Sequence, residues 1–132
     1  MINDKTLREK VESYDDSNKD YIAILYVCLE GWMSNDWAIM TVNHDCLCFY
    51  VLDNFKMSLV ITGKFTVLYE AITKMKISKF LLWTNLKIRS ADDSKTYKLK
   101  VKVSSKCIGI KKQKENIGIL VDFLRSRNLV RP

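Results

Sequence analysis

The sequence predicts a mainly β fold: about seven curled antiparallel strands form a barrel, a C-terminal helix caps it, and a short N-terminal helix precedes it. Three observations support this. Apolar residues make up 48% of 132 residues, enough for one core in a chain of single-domain length. Short apolar or alternating runs, separated by turn formers, fill the middle of the chain. The last segment changes to the 3.6-residue period of an amphipathic helix.

The N-terminal helix is predicted from Asn3, a suitable N-cap, to Tyr14. Leu7, Val11 and Tyr14 recur at the i, i+4 and i+7 spacing of one helix face. Residues 15–18 read Asp-Asp-Ser-Asn and end the helix with turn formers. We expect residues 1–132 to form a single domain with its core in about residues 21–127, because the chain contains no linker and no repeat.

Three consecutive antiparallel strands are predicted at residues 21–29, 37–42 and 46–52. These runs are rich in aromatic and branched side chains, and short turns separate them. Two further apolar runs follow at residues 57–61 and 65–69, divided by Thr-Gly-Lys. Either both runs are strands or one is a connection, and the sequence does not decide which is the fourth strand.

Alternation of apolar and polar residues predicts three strands with one buried and one solvent-exposed face, at residues 73–77, 82–89 and 96–103. Residues 90–95 are predicted to be the turn between the last two. The side chains expected to face the core are Met75, Ile77, Leu82, Leu86, Ile88, Tyr97, Leu99, Val101 and Val103.

The C-terminal helix is predicted over residues 114–127. Ile117, Leu120, Val121 and Leu124 form its apolar stripe, and two arginines lie in the last turn, where the helix dipole favours cations. Gly118 in its interior costs about 1 kcal/mol relative to alanine. We therefore expect either close packing at Gly118 or a later helix start.

Residues 38–50, AIMTVNHDCLCFY, resemble the T-N-x-x-L-x-F-Y hairpin of the pleckstrin-homology-like superfamily, most plainly in its bacterial PH-like and GRAM-like branches. Residues 68–73 are similar to the Y-x-x-I segment of that superfamily, and residues 86–101 to its L-x-I-x-x-x-D-G-K-x-Y-x-F-x-V hairpin. Residues 120–124 correspond to its capping helix. The resemblance implies the helix-capped barrel.

The first hairpin loop departs from that superfamily. PH domains that bind phosphoinositides carry a Lys and Arg cluster there, whose donors meet the phosphates. Residues 30–36 here read EGWMSND and contain no basic residue. Headgroup recognition in that mode is therefore not expected.

Charge divides the chain into two unlike halves. Residues 1–66 contain six Lys and Arg against ten Asp and Glu, whereas residues 67–132 contain sixteen against five. Such a basic half attracts anions. Its outward positions on the three alternating strands predict a basic binding face composed of Lys74, Lys76, Lys87, Arg89, Lys98, Lys100 and Lys102. The alternative is that these cations only solvate the sheet and discourage edge pairing.

Residues 80–83, Phe-Leu-Leu-Trp, are the second candidate binding feature. At an exposed tip, Phe80 and Trp83 would enter a membrane interface or a partner's pocket. We expect instead that Leu82 is part of the core, because alternation places it inside with Leu86, and that only Phe80 and Trp83 remain accessible. Trp32 and Trp37 flank the first turn and are predicted to form a cross-strand pair.

The histidine, the cysteines and the absence of catalytic motifs predict neither a metal site nor an enzyme. His44, Cys46 and Cys48 share a strand face, with Cys28 or Cys107 as a potential fourth ligand, but ligands at i, i+2 and i+4 diverge. The cysteines are expected to be reduced. With one histidine, no Gly-rich phosphate loop and no Ser-His-Asp set, we expect no catalysis, no cofactor and no small-molecule substrate.

The leading functional hypothesis is a non-catalytic binding module that recognises a protein partner or itself, through a strand edge or the basic face. The alternative is peripheral binding to acidic membranes through the basic face and the 80–83 tip. Single-stranded nucleic acid is a third and less favoured ligand, because only Trp83 offers a stacking platform on that face. Since no secretion signal and no membrane span is visible, we expect a cytoplasmic protein, either free or at a membrane surface.

Overall fold

The computed structural model describes residues 2–30, 35–53, 60–92, 95–107 and 109–129. Seven strands and two α-helices account for most of them, and a single 3₁₀ turn, Tyr69–Ala71, precedes the fifth strand. In chain order the elements are α1 Asp4–Tyr14, β1 Ala23–Glu30, β2 Asn35–Val42, β3 Cys46–Leu52, β4 Ile61–Leu68, β5 Ile72–Phe80, β6 Trp83–Asp92, β7 Lys95–Ser104 and α2 Gln113–Ser126.

The strands form one antiparallel sheet in the order β4-β3-β2-β1-β7-β6-β5. The predicted mainly β fold with two helices is confirmed. The sheet is not closed into a barrel, because no ladder between described residues joins β4 to β5. These two strands are therefore the edges of the sheet.

The main core lies between the sheet and α2. The apolar stripe of the helix packs against buried side chains of the strands, such as Leu25, Phe49 and Leu86. The stripe consists of the predicted residues Ile117, Leu120, Val121 and Leu124. The C-terminal helix therefore completes the core, as its period predicts.

A second core lies on the opposite face of the sheet, beneath α1. Leu7 and Val11 pack there with Ile39 and Tyr50. Asn3 caps the helix, since its side chain accepts from the Thr6 N–H at 2.8 Å. In the described part of the chain, no helix is long and apolar enough to cross a bilayer.

Side chains of α2 replace a strand beside β1. The ladder between β1 and β7 covers only Cys28 to Glu30. Farther along β1, Gln113 accepts from the Tyr26 N–H at 3.2 Å and donates to the Tyr26 carbonyl at 2.7 Å. Asn116 donates to the Ile24 carbonyl at 2.9 Å. These buried amides satisfy main-chain groups that β7 leaves unpaired.

Three details of the predicted elements are wrong. β4 runs through Thr62-Gly63-Lys64, so this tripeptide does not divide two runs, and residues 57–59 lie outside the described residues. The strands β6 and β7 extend into the predicted 90–95 turn. Gly118 is exposed with no atom near its Cβ position, and α2 starts one residue earlier than predicted, so neither expected explanation of this glycine holds.

Tyr97 is a fourth departure, since it is exposed although its parity matches the buried Val101 and Val103. Burial falls along β7 toward the β6–β7 hairpin, which reaches beyond the core. Alternation gives the face of a strand on which a side chain lies, but not how far the core extends along that face.

Candidate functional site

The outer face of β5, β6 and β7 carries two cross-strand rows of cations. Lys76, Lys87 and Lys100 lie opposite one another in one row. The next row consists of Lys74, Arg89 and Lys98. All six are exposed, and we call them the basic ladder. The predicted basic face is therefore continuous over these six residues.

A shallow groove of about 240 Å³ lies along the basic ladder, with Ile88 and Leu99 also in its walls. Directly opposed residues on neighbouring strands are only about 5 Å apart at Cβ, so their like charges repel one another. An anion in the groove would relieve this repulsion. The arrangement is therefore suited to a ligand with several negative charges.

At the end of the first row, Glu30 of β1 lies directly opposite Lys100. Lys102 belongs to the same face but not to the basic ladder. Its ammonium forms a salt bridge with the Glu30 carboxylate of β1, and its cross-strand neighbour is Asn85. The salt bridge raises the pKa of Lys102 and lowers that of Glu30. This predicted site residue is therefore neutralised by an acidic side chain from β1.

The β5–β6 hairpin ends in an exposed apolar tip. Phe80 and Trp83 pair across the strands, and Leu81 and Leu82 form the two-residue turn between them. The exposed fractions of residues 80 to 83 are 70%, 87%, 46% and 37%. The prediction that Leu82 is buried is wrong, because β6 starts at Trp83 and Thr84 takes the first inward position. We call residues 80–83 the apolar tip.

The tip aromatics and the basic ladder lie on the same side of the sheet. Phe80 is four residues from Lys76, and Trp83 is four from Lys87, so both pairs share a face. Four residues of strand span about 13 Å. Sequence reasoning missed the exposure of Leu81 and Leu82. A register that sets Lys76 opposite Lys87 also pairs Phe80 with Trp83, and it would have identified residues 81 and 82 as the turn.

The turn has an unfavourable backbone for its sequence. Leu81 has φ 55°, in the left-handed region. Two-residue hairpin turns place glycine, asparagine or aspartate at such positions, and a larger residue there costs about 1 kcal/mol. Leu81 is thus both strained and exposed. Strain of this kind is typical of functional positions.

The cysteines and the histidine form no comparable site. Cys46 Sγ lies 3.7 Å from Cys48 Sγ, and burial raises the pKa of Cys46 to about 11, which keeps this thiol protonated. The His44 ring packs edge-on against Phe123. Among the residues with described positions, no three His, Cys, Asp or Glu side chains could hold a metal ion.

The tryptophans of the first hairpin are only partly described. Trp37 stacks on Tyr26, with ring centroids 5.0 Å apart. Trp32 lies outside the described residues, so its predicted pairing with Trp37 stays a prediction. This stacking gives Trp37 a structural role in the β1–β2 hairpin.

Comparison with known proteins shows similarity at the level of the fold. No protein-family model matches the chain, and no curated protein matches it. It is similar to the C-terminal domain of an unknown protein from Leishmania infantum, with TM-score 0.56 and 9% identity over 90% of this chain and 94% of that one. It is also similar to the hSac2 domain from human phosphoinositide phosphatase Sac2, with TM-score 0.59 and 5% identity over 99% of this chain and 89% of that one.

Proposed function

We propose that this chain is a non-catalytic binding module that docks on acidic membrane surfaces through the basic ladder and the apolar tip. The observation that carries the proposal is the exposure of Phe80, Leu81, Leu82 and Trp83 on the hairpin that also bears the cations. Exposed apolar residues in a contiguous group mark interaction surfaces. A basic rim around such a group suits a bilayer with anionic headgroups.

The two parts of the site supply two weak attractions. Each cation close to an anionic leaflet contributes about 1 kcal/mol. Burying a leucine or phenylalanine side chain fully contributes about 1.5–3 kcal/mol. A single weak anchor gives only marginal membrane binding, so stable binding requires both. The shared face allows the tip to enter the interface while the ladder meets the headgroups.

This docking mode differs from phosphoinositide binding at the first hairpin of PH domains. Glu30, at the start of that loop, is bound to Lys102 and adds no attraction for phosphate. Membership of the PH-like superfamily stays a prediction. The likeness to the hSac2 domain is one of fold alone, at 5% identity, and the proposal does not rest on it.

Vesicle co-sedimentation tests the proposal. Phosphatidylcholine vesicles with and without about 30% phosphatidylserine are compared at about 50 and 150 mM salt. Leu81→Gly should weaken binding about tenfold, since it removes apolar area while relieving the strained backbone. Leu81→Trp is the matched variant that keeps an apolar side chain at the tip and should retain binding.

The charge contribution is tested separately. Lys87→Gln, at the centre of one row of the ladder, should weaken binding to acidic vesicles about fivefold. Lys114→Gln, on the exposed side of α2, is the matched control and should bind as the wild type does. Absence of wild-type binding at low salt overturns the proposal. Salt-dependent binding of a single-stranded oligonucleotide in its place would assign the face to nucleic acid instead.

The second candidate function is recognition of a protein partner or of a second copy, and the edge of β4 favours it. In the described part of the chain, β4 pairs with β3 on one side only. Its exposed side chains include Phe65 and Leu68. An uncovered edge with apolar side chains is a template for another strand.

A further inference from the structure

We propose that two copies of this chain pair edge to edge through β4, so that the two sheets become one. The inference deepens the second proposed function and does not depend on membrane binding. It follows from a difference between the two edges of the sheet. One edge is protected against pairing and the other is not.

The β5 edge carries the protection. Lys74, Lys76 and Lys79 are exposed along it. Charged edge residues, lysine above all, prevent another strand from adding to a sheet. In pairings of two β5 strands centred at Lys74, Met75 or Lys76, lysines would lie directly opposite one another. This edge is therefore closed to a second copy.

The β4 edge has a single cation, and it is already neutralised. Lys64 binds the Asp15 carboxylate, and its ammonium lies 5.6 Å from the centre of the Tyr50 ring. The hydrogen bond from Lys64 lowers the pKa of Asp15, so the carboxylate stays charged and the pair holds together. The rest of β4, from Ile61 to Leu68, has no charged residue. A neutral edge is complementary to another neutral edge.

Both faces of β4 offer apolar contact. Phe65 lies on the side of the main core, where its ring stacks on Phe49 with centroids 4.8 Å apart. Leu68 lies on the other side, in register with Cys46. Both remain exposed beyond these contacts. A strand added along β4 would cover each of them.

A second copy fits this edge by symmetry. Antiparallel pairing of a strand with its own copy is two-fold symmetric, and each strand satisfies the outward main-chain groups of the other. A two-fold axis at Phe65 sets the two phenylalanines opposite each other and Gly63 opposite Val67. Lys64 then lies opposite Thr66, so no like charges are directly opposed.

The predicted dimer is weak and depends on concentration. An interface built mainly on one eight-residue strand is at the small end of protein interfaces, below about 1,200 Å². We expect a dissociation constant of about micromolar magnitude. Sedimentation equilibrium from about 5 to 500 µM covers that range.

The test introduces one lysine on each edge. Thr66→Lys places a free cation at the centre of the β4 edge and should weaken dimerisation at least about tenfold. Thr73→Lys makes the same change on the β5 edge and should leave dimerisation unchanged. Both positions are exposed, so both variants should fold. A wild type that is monomeric over the whole range overturns the proposal, as does equal dimerisation of the two variants.

Hydrogen exchange provides an independent measurement on the wild type. Outward amides of β4 should gain protection as the concentration rises, whereas those of β5 should not. Protection confined to β5 contradicts the proposal. Vesicle binding is measured on the same variants, because Thr66→Lys should leave it intact. Failure of dimerisation is thereby distinguished from failure of the membrane proposal.

Discussion

The hydroxyl of Tyr50 donates to the carboxylate of Asp15 at 2.9 Å and accepts from the Asn18 amide at 2.7 Å. Tyr50 lies on β3, whereas Asp15 and Asn18 belong to the turn after α1. The Asn18 amide also donates to the Thr41 hydroxyl at 3.0 Å. This buried network attaches the N-terminal segment to the sheet. Residues 15–18, and the helix α1 that precedes them, are thereby joined to the sheet.

Tyr50→Phe should lower the free energy of unfolding by about 1–3 kcal/mol, because it removes one partner from each of two bonds in a buried network. Urea unfolding measures the change. Tyr97→Phe removes a hydroxyl from an exposed ring and is the matched control, with an expected change below about 0.5 kcal/mol. Equal losses in the two variants would contradict a stabilising role for the network.

Asp15 should make the protein sensitive to acid. The hydrogen bond from Lys64 is the largest cause that lowers its pKa, followed by that from Ser17. As the pH falls below the unfolded carboxyl pKa of about 3.9, the unfolded state takes up the proton first. The free energy of unfolding should therefore decrease from about pH 4 downward, toward the lower native pKa.

Asp15→Asn isolates this contribution. The variant should be less stable than the wild type at neutral pH, but its stability should fall less steeply below about pH 4. Urea unfolding at a series of pH values gives both quantities. Asp16→Asn changes the adjacent exposed carboxylate and serves as the control. An unchanged slope in Asp15→Asn would show that the acid sensitivity arises elsewhere, for example at the Glu30–Lys102 pair.

Local periodicity predicts much of the fold and of the candidate site. β3 has the predicted bounds, Cys46–Leu52, because its aromatic and branched run lies between clear turn formers. The basic ladder follows from strict alternation, which fixes the face of Lys87 and Arg89 without knowledge of any neighbour. Signals of this kind depend only on residues close in sequence.

The features that the sequence does not reveal depend on which strand residues pair. The exposure of Leu82 follows from the pairing of Phe80 with Trp83, in a turn that lacks the usual turn formers. The neutralisation of Lys102 requires Glu30, which adjoins it only through the short β1–β7 ladder. The burial of Gln113 has a reason only because β1 separates from β7, which leaves the main-chain groups of Tyr26 for the Gln113 side chain. Tertiary pairing, not composition, determines these features.

Gln113→Ala should lower the free energy of unfolding by about 2–4 kcal/mol, because it leaves both main-chain groups of Tyr26 without their side-chain partner. Thermal or urea unfolding measures the change. Lys114→Ala, the next residue on the exposed side of α2, should change stability by less than about 0.5 kcal/mol. A small loss in Gln113→Ala would mean that water replaces the amide at this point in the sheet.

Two glycines, Gly109 in the connection between β7 and α2 and Gly118 inside α2, should respond in opposite ways to alanine. Gly118 lies in α2 with no atom within 4 Å of an added Cβ, so Gly118→Ala should raise the free energy of unfolding by about 0.5–1 kcal/mol. Gly109 has φ +89°, and a Cβ there would lie 2.1 Å from the Ile2 carbonyl oxygen.

Gly109→Ala should therefore destabilise the protein by more than about 1 kcal/mol, through backbone strain and displacement of the N-terminus. That displacement would also disturb Asp4, whose carboxylate accepts from the Lys111 and Lys112 N–H groups at 2.9 and 3.3 Å. Thermal unfolding of both variants gives the comparison, with about 4 °C expected per kcal/mol. Equal shifts in the same direction would mean that helix propensity and local strain do not govern these positions.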